Sequence, residues 1–526
     1  MVAVGTDSAK PWTTSRRWGD AMADLVLGVD CSTTACKVVA WDRAGKAVAE
    51  GRAELEEIRP QPLFSEQKAE GWWEGTSGAI AQLMGSVDAD RVAGICITHQ
   101  RESFAPVDED NKPQYNGILW DDARSEAQLA ELGERFGHDD LHRRTGRGPS
   151  LTQSFSKILW LAQNHPDIAR DAHKFMDVHG FLVQRLTGKF TTSLASADSF
   201  GLIDAEHDAW AEDLITGIGL RPEQFCATVR PGEVIGEVTA EAARATGLPV
   251  GLPVVAGLGD GQAACLGAGV TSRDRAYFNL GTAVTGGPID REFVTDPSFR
   301  TLYGGAPGTY LLESVLRGGM ATMTWFMRHF GDTVDGKADF DHYEAAARRV
   351  GPGADGLVLV PYWNAVMNPY HDNAASGMIV GWRQEHGREQ LFRAVEEGIC
   401  FEFRLAMEGI QATTGENIRE YVILGGGSNS DLWCQIAADV LGATVTRAHT
   451  VEATNLGAGI LGAYGVGWYP SVEEAAAAMT DTNESFQPDD KAKQVYDRLF
   501  EEVYRPLFPG VQPALQRLSQ LRAELM

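Results

Sequence analysis

An α/β protein built from two large domains is what the chain predicts, on three observations. Its 526 residues, 44% of them apolar, are too many for one hydrophobic core. Buried-type strands repeatedly run into turns that open helices, the pattern of open α/β sheets. The strand, short polar turn and second strand between Leu25 and Trp41 also have an echo between Ala276 and Gly287. Two halves that begin alike suggest a duplicated fold with a phosphate-binding turn in each.

Composition narrows the function. A formal charge of -26 argues against a nucleic-acid binder, which needs a basic surface. In so acidic a chain a phosphate-bearing ligand has to be held by local groups: backbone amides, a lysine or two and a metal. The seven scattered cysteines contain no C-x-x-C pair and suit a reducing cytosol. Residues 1–24 lack the apolar stretch of a signal peptide, and no run of 18 apolar residues occurs anywhere. The expectation is a cytoplasmic protein with a disordered N-terminal extension over residues 1–24.

The first strand ends at Asp30, and Ser32, Thr33, Thr34 and Lys37 follow in the turn and return strand. Amides and hydroxyls of that turn are placed to face a polyphosphate, with Lys37 and a metal near Asp30 neutralising charge. A plain hairpin with a polar turn is the alternative. Tryptophans Trp72 and Trp73 read as core anchors. Strand Val92–Ile97 ends in Thr98-His99-Gln100-Arg101-Glu102-Ser103, either a tip that orients a polar substrate or a solvated loop with an internal Arg101–Glu102 pair. Asp121 or Asp122 is placed to touch a sugar hydroxyl or to cap the next helix. Lys157 to Leu161 belongs to an amphipathic helix stopped near Pro166, and His179 reads as structural.

The segment from Val254 to Ala264 organises the chain. An apolar run breaks at Gly257 and Gly259, delivers Asp260 into a turn, and resumes as a small-residue helix. Asp260 then projects at the carboxyl end of a buried strand, where open sheets keep their ligands. It is a general base for an alcohol that receives a phosphoryl group, or the cap of its helix.

In the second half the turn at Gly281 and Thr282 repeats the phosphate motif, and Gln390–Phe401 reads as a structural helix. Strand Tyr421–Leu424 leads into Gly425-Gly426-Gly427-Ser428-Asn429-Ser430, where glycines let the backbone approach a flat or charged ligand. A helix over Asp431–Leu441 follows, with Leu432, Ile436 and Val440 on one face and Gly442 as its stop. Combined with two phosphate hairpins, this loop reads as the seat of the adenosine of ATP. No G-x-x-x-x-G-K-[ST] motif is present. Asn455–Ala463 is a small-residue helix suited to close packing, and Asp490–Met526 reads as two helices that cover the core or meet another subunit.

The order of these features resembles the FGGY carbohydrate kinases over essentially all of the chain beyond Asp24. The resemblance rests on Asp30 to Lys37, Gly259 to Ala264, Leu280 to Ala283, Gly425 to Ser430 and the helix carrying Lys157 to Trp160. It implies two actin-like (ribonuclease H-like) ATPase domains, residues 25–270 for the sugar and 271–526 for the nucleotide, with ATP and Mg2+ in the cleft between them. A homodimer is the expected assembly. Asp260 matches the family's catalytic base and Asp30 its metal-side carboxylate. Ser32, Thr33, Thr34 and Lys37 belong to the first phosphate loop, Gly281 and Thr282 to the second, and Gly426, Gly427 and Asn429 to the adenosine end.

Subfamily features are mixed. Pro62 to Gln67 followed by Trp72-Trp73 looks like xylulokinases, whereas Gln100-Arg101-Glu102 looks like glycerol kinases. Thr152 and Gly261 stand where glycerol kinases carry a tyrosine and a glutamine. Both changes remove side chain, which points to an acceptor larger than glycerol: a pentulose such as xylulose, or a polyol of four or five carbons. Arg101, Glu102 and Gln262 are expected to hold its hydroxyls beside Asp260, with Gln100 in the same set. The rival from another class is an actin- or Hsp70-like ATPase switch.

Overall fold

A computed structural model describes residues 23–334 and 337–525. Two mixed sheets organise it. The first has six strands in the order Val234–Glu237, Pro253–Gly259, Val92–His99, Leu25–Cys31, Ala35–Trp41, Ala47–Glu54. Its last three form an antiparallel meander, and Val92–His99 and Pro253–Gly259 add parallel to Leu25–Cys31. The second sheet has seven strands, with Arg275–Leu280 and Val284–Asp290 as its opening hairpin and Glu420–Leu424 and Thr444–Ala448 added parallel. The repeated hairpin read from the sequence therefore opens both sheets, as a duplicated fold requires.

The parallel strands are buried on both faces and read as continuous apolar runs for that reason. Their carboxyl ends point to one side, so the segments after His99, Cys31 and Gly259 are neighbours: Cys31 pairs with His99, and His99 with Gly259. This register brings residues distant in sequence to one edge.

Two helices lock the halves together. Helix Ala453–Gly465, which follows a strand of the second sheet, buries Leu456, Ile460 and Leu461 among Val26, Val39, Trp41 and Val255 of the first. Helix Asp260–Gly267, which leaves the first sheet, buries Ala264 and Cys265 among Tyr277, Leu302, Leu311 and Val422 of the second. They cross closely enough that a Cβ on Gly457 would come within 2.0 Å of the Ala263 carbonyl oxygen. Asn455 binds the crossing to the first sheet, donating to the carbonyls of Gly28 and Lys37 at 3.1 Å each and accepting from Trp41 Nε1 at 2.9 Å. The close-packing role read for the 455–463 segment is thus an interlobe one.

The expected extension over 1–24 lies outside the described residues except for Ala23 and Asp24, and Asp24 is anchored by both Arg91 Nε and Nη2 at 2.8 Å. Helix Asp431–Leu441 has the bounds expected, with Gly442 left-handed at φ 65° as its stop. The C-terminal part runs as Asp490–Leu499, a π-helical turn and Arg505–Leu525, burying Tyr496 and Tyr504 and leaving Leu518 and Leu525 exposed. All seven cysteines are free and buried.

Candidate active site

Asp260 is the first residue of its helix, directly after the strand whose buried run pushes it to the sheet edge. Its side chain is 44% exposed. Oδ1 accepts from Arg101 Nε at 2.8 Å and from the Gly261 amide at 2.7 Å; Oδ2 has no hydrogen bond among the described residues. Fixing one oxygen and freeing the other suits a proton acceptor; the N-cap position of this helix belongs to Gly259, so Asp260 stands one residue inside it.

Arg101 is 8% exposed and ties the two halves together. Its Nη1 donates to Glu313 Oε2 at 2.9 Å, across the gap from the second sheet. Glu313 is fully buried and also accepts from Arg300 Nε at 2.8 Å and from the Tyr277 hydroxyl at 2.5 Å. Burial pushes its carboxyl up, but Arg101 and Arg300 overcome this and hold it at about 2.

Glu102, at φ 66°, occupies the left-handed region that a non-glycine residue enters at a cost, as functional tips often do. It does not pair with Arg101. Its Oε1 instead accepts from Arg147 Nη1 at 2.6 Å and from Arg300 Nη1 at 3.0 Å, and Arg147 reaches Asp198 at 3.2 Å. The expected substrate residues are therefore gathered at one place, but most are used internally. Gln100, 2% exposed, donates to Gln67 Oε1 at 2.9 Å and accepts from Thr33 and Ser103. Gln262, 1% exposed, donates to the Ala195 carbonyl at 3.0 Å. Gln100, Glu102 and Gln262 frame the site; Asp260 is the member open to a ligand.

The space read into Gly261 is also corrected. A Cβ there would lie 2.3 Å from Glu313 Oε1 and 2.6 Å from Arg101 Nη2. Glycine at 261 makes room for the interlobe ion pair, not for a larger acceptor.

The first turn is tight: the Ser32 hydroxyl donates to the Ala35 carbonyl at 2.8 Å, so it closes the hairpin. Thr33 accepts from Trp120 Nε1 at 3.0 Å, which holds that exposed indole over the same edge, and Thr34 is exposed. Lys37 is not offered to a phosphate; its Nζ is taken by Glu452 at 2.8 Å and Glu50 at 3.0 Å. Asp30 is partly exposed, but its Oδ1 is buried with no hydrogen-bond partner. Burial first, then the charges of Asp260 and Glu452, push its carboxyl up to about 8, with Lys37 pulling the other way. An orphaned carboxylate oxygen in a negative field fits a hard divalent cation, and magnesium characteristically takes one or two carboxylates and leaves its other positions to water and phosphate.

In the second turn, Gly281 and Thr282 give their carbonyls to the amides of Met320 and Ala321 at 2.9 and 3.1 Å, leaving Thr282 exposed. Across the ladder, Val284 pairs with Leu316, which sets Arg317 beside this turn. Arg317 makes no ion pair among the described residues, and burial lowers its pKa. Gly426, Gly427 and Asn429 line a cavity of about 270 Å³ with Met320, Met323, Phe340, Phe392 and Trp433. Sequence reading missed Glu313, Arg300, Arg147, Asp198 and Arg317. Asp121 and Asp122 are ion-paired to Arg59 and Arg124.

Lys157, fully buried, donates to the carbonyls of Leu119, Trp120 and Thr152 at 2.7 to 2.8 Å, pinning the loop that carries Trp120.

The sequence model described as "FGGY family of carbohydrate kinases, N-terminal domain" matches residues 25–267, and its C-terminal counterpart matches residues 276–466. A xylulose kinase of Bacillus subtilis is 27% identical over 508 residues, covering 94% of this chain and 99% of its own. A glycerol kinase of Thermococcus gammatolerans is 30% identical over 507 residues, covering 94% and 98%. Among solved structures, the xylulose kinase of Rhodospirillum rubrum superposes with a TM-score of 0.88 at 26% identity, covering 93% and 99% of the two chains.

Proposed function

The chain belongs to the FGGY family of carbohydrate kinases, ATP-dependent sugar phosphotransferases, and from that premise we propose that it phosphorylates a pentulose such as xylulose with Asp260 as its base. The observation that carries this reading is the half-exposed Asp260 carboxylate, one oxygen fixed by Arg101 and the other free at the strand edge. The acceptor oxygen attacks the γ-phosphorus, the bond from that phosphorus to the β,γ-bridging oxygen breaks with its electron pair going to ADP, and the hydroxyl proton passes to Asp260 Oδ2. Catalysis is mostly positioning and charge neutralisation.

Arg101 acts as a positioning residue, and the network of Glu102, Arg147 and Asp198 holds the tip that carries it. Amides of the turns at Thr33, Thr34, Gly281 and Thr282 face the phosphates, with Arg317 the cation beside them. Magnesium beside Asp30 would supply neutralisation of the phosphate charge. Gly426, Gly427 and Asn429 line the seat of the adenosine. Residues 25–270 act as the sugar-side domain and 271–526 as the nucleotide-side domain, and the protein works in the cytoplasm. Exposed Leu518 and Leu525 on the last helix offer a surface for a second copy in a homodimer.

The glycerol-kinase relative and the Arg101-Glu102 tip support a polyol of three to five carbons as a second reading. A coupled assay for ADP over a panel of ketoses, polyols and aldonates tests the choice. Release of ADP driven by xylulose or another pentulose is the expected result, and stimulation by glycerol or a tetritol alone would replace it. Stimulation by a protein and by no sugar would point to a switch ATPase.

A further inference from the structure

One buried acid of the nucleotide cavity has no role in the chemistry above. Glu396 lies on the long helix Arg388–Thr414, is 1% exposed, and lines the cavity formed with Gly426, Gly427 and Asn429. Neither of its oxygens has a hydrogen bond among the described residues, and Oε2 is fully buried. A buried carboxyl without a partner is costly, so an orphan facing a cavity points to a ligand that completes it. The lining suits a flat ring: Met320, Met323, Phe340, Phe392 and Trp433 supply apolar surface, and Gly426 and Gly427 lie among them without side chains. The remaining polar lining is Asp341, Glu344, Asn429 and Ser430, with no lysine or arginine among the lining residues.

We propose that Glu396 reads the Watson–Crick or Hoogsteen edge of the nucleobase and selects adenine by pairing with its exocyclic amine and the adjacent ring nitrogen. This rests on the reading of the cavity as the adenosine seat and adds to it the group that recognises the base.

The chemistry separates adenine from guanine. A protonated carboxyl presents one donor and one acceptor, matching adenine's acceptor ring nitrogen and donor amine. An ionised carboxylate presents acceptors alone and would suit the two donors of guanine. Burial pushes the Glu396 carboxyl well above its ordinary value, Glu344 and Glu397 add to the push, and Arg393 and Arg348 oppose it in part. The shift is toward the neutral form, the one that matches adenine.

The test compares Glu396→Leu and Glu396→Gln in the full-length enzyme, measuring KM and kcat for ATP and for purine riboside triphosphate, which lacks the amine. Gly426→Phe serves as a cavity-filling control, because Gly426 is exposed and a Cβ there meets nothing within 4 Å. The expected result is a rise of about tenfold in KM for ATP in Glu396→Leu with kcat unchanged, and a rise of about twofold or less for the amine-free analogue. Glu396→Gln, which keeps a donor and an acceptor, should stay within about threefold of the parent for ATP. Equal effects of Glu396→Leu on both nucleotides, or none on either, overturn the proposal while Gly426→Phe still raises both KM values. If Gly426→Phe changes neither, the nucleotide does not sit here and the proposal falls with that reading.

Discussion

Arg101 Nη1 lies 2.9 Å from Glu313 Oε2, joining the two sheets through the same guanidinium that holds Asp260 at 2.8 Å. The geometry of the base and the closure of the cleft are therefore coupled through one side chain. Arg101→Lys should not restore this, because a compact ammonium lacks the fork that reaches both carboxylates. We expect kcat to fall by about 10- to 100-fold in Arg101→Lys, with KM for ATP nearly unchanged. Steady-state kinetics decide it, and near-parental turnover in the lysine variant would remove the positioning role.

Asp260→Asn keeps shape and loses the proton acceptor. Loss of a general base is worth about 10²- to 10⁴-fold in rate, and the variant should still bind ADP with parental affinity by calorimetry. Retention of sugar phosphorylation within about tenfold would mean that another group takes the proton.

Gly457 faces the Ala263 carbonyl at a distance that excludes any side chain. Gly457→Val should cost about 1–3 kcal/mol or more by denaturant unfolding, as overpacking does. Gly78 is the matched contrast, an exposed glycine in helix Ala69–Met84 whose added Cβ would meet nothing within 4 Å. Gly78→Ala should stabilise by about 0.5–1 kcal/mol. Equal losses in both would show that the crossing is not what sets the cost.

Glu402 gives a pH signature. Burial pushes its carboxyl up to about 7, with the hydroxyls of Tyr504 and Tyr362 pulling the other way at 2.7 and 2.9 Å. Its folded pKa is above the unfolded one, so between the two the folded state holds more protons and stability from this group falls as pH rises. The loss runs from about pH 4.5 to about 7 and amounts to on the order of 3 kcal/mol. Glu402→Gln should match the parent in Tm at pH 5 and exceed it at pH 8. A Tm difference that does not change between those two values would contradict the assignment.

Much of the architecture was legible because it is local. The hairpin at Asp30 to Lys37, its echo before Gly281, and the helix stop at Gly442 all announce themselves within a dozen residues. Asp260 was legible for the same reason: an apolar run, two glycines and one carboxylate fix where it emerges. The partners of the site were not. Glu313 is 212 positions from Arg101, and Arg300 is 198 from Glu102, so nothing near either residue in the chain signals the contact. For the same reason Gly261 looks in sequence like a vacancy, although its missing side chain admits Glu313 and Arg101, and Lys37 looks like a phosphate ligand, although Glu452 and Glu50 claim it.

The exchange of helices between the two sheets bears on how the gene product can be divided. Each lobe would lose its covering if the chain were severed near residue 270, because Leu456, Ile460 and Leu461 travel with one fragment and their apolar bed with the other. Fragments made apart would each present a bare sheet face and aggregate. Made together they should find one another and regain activity as a reassembled pair.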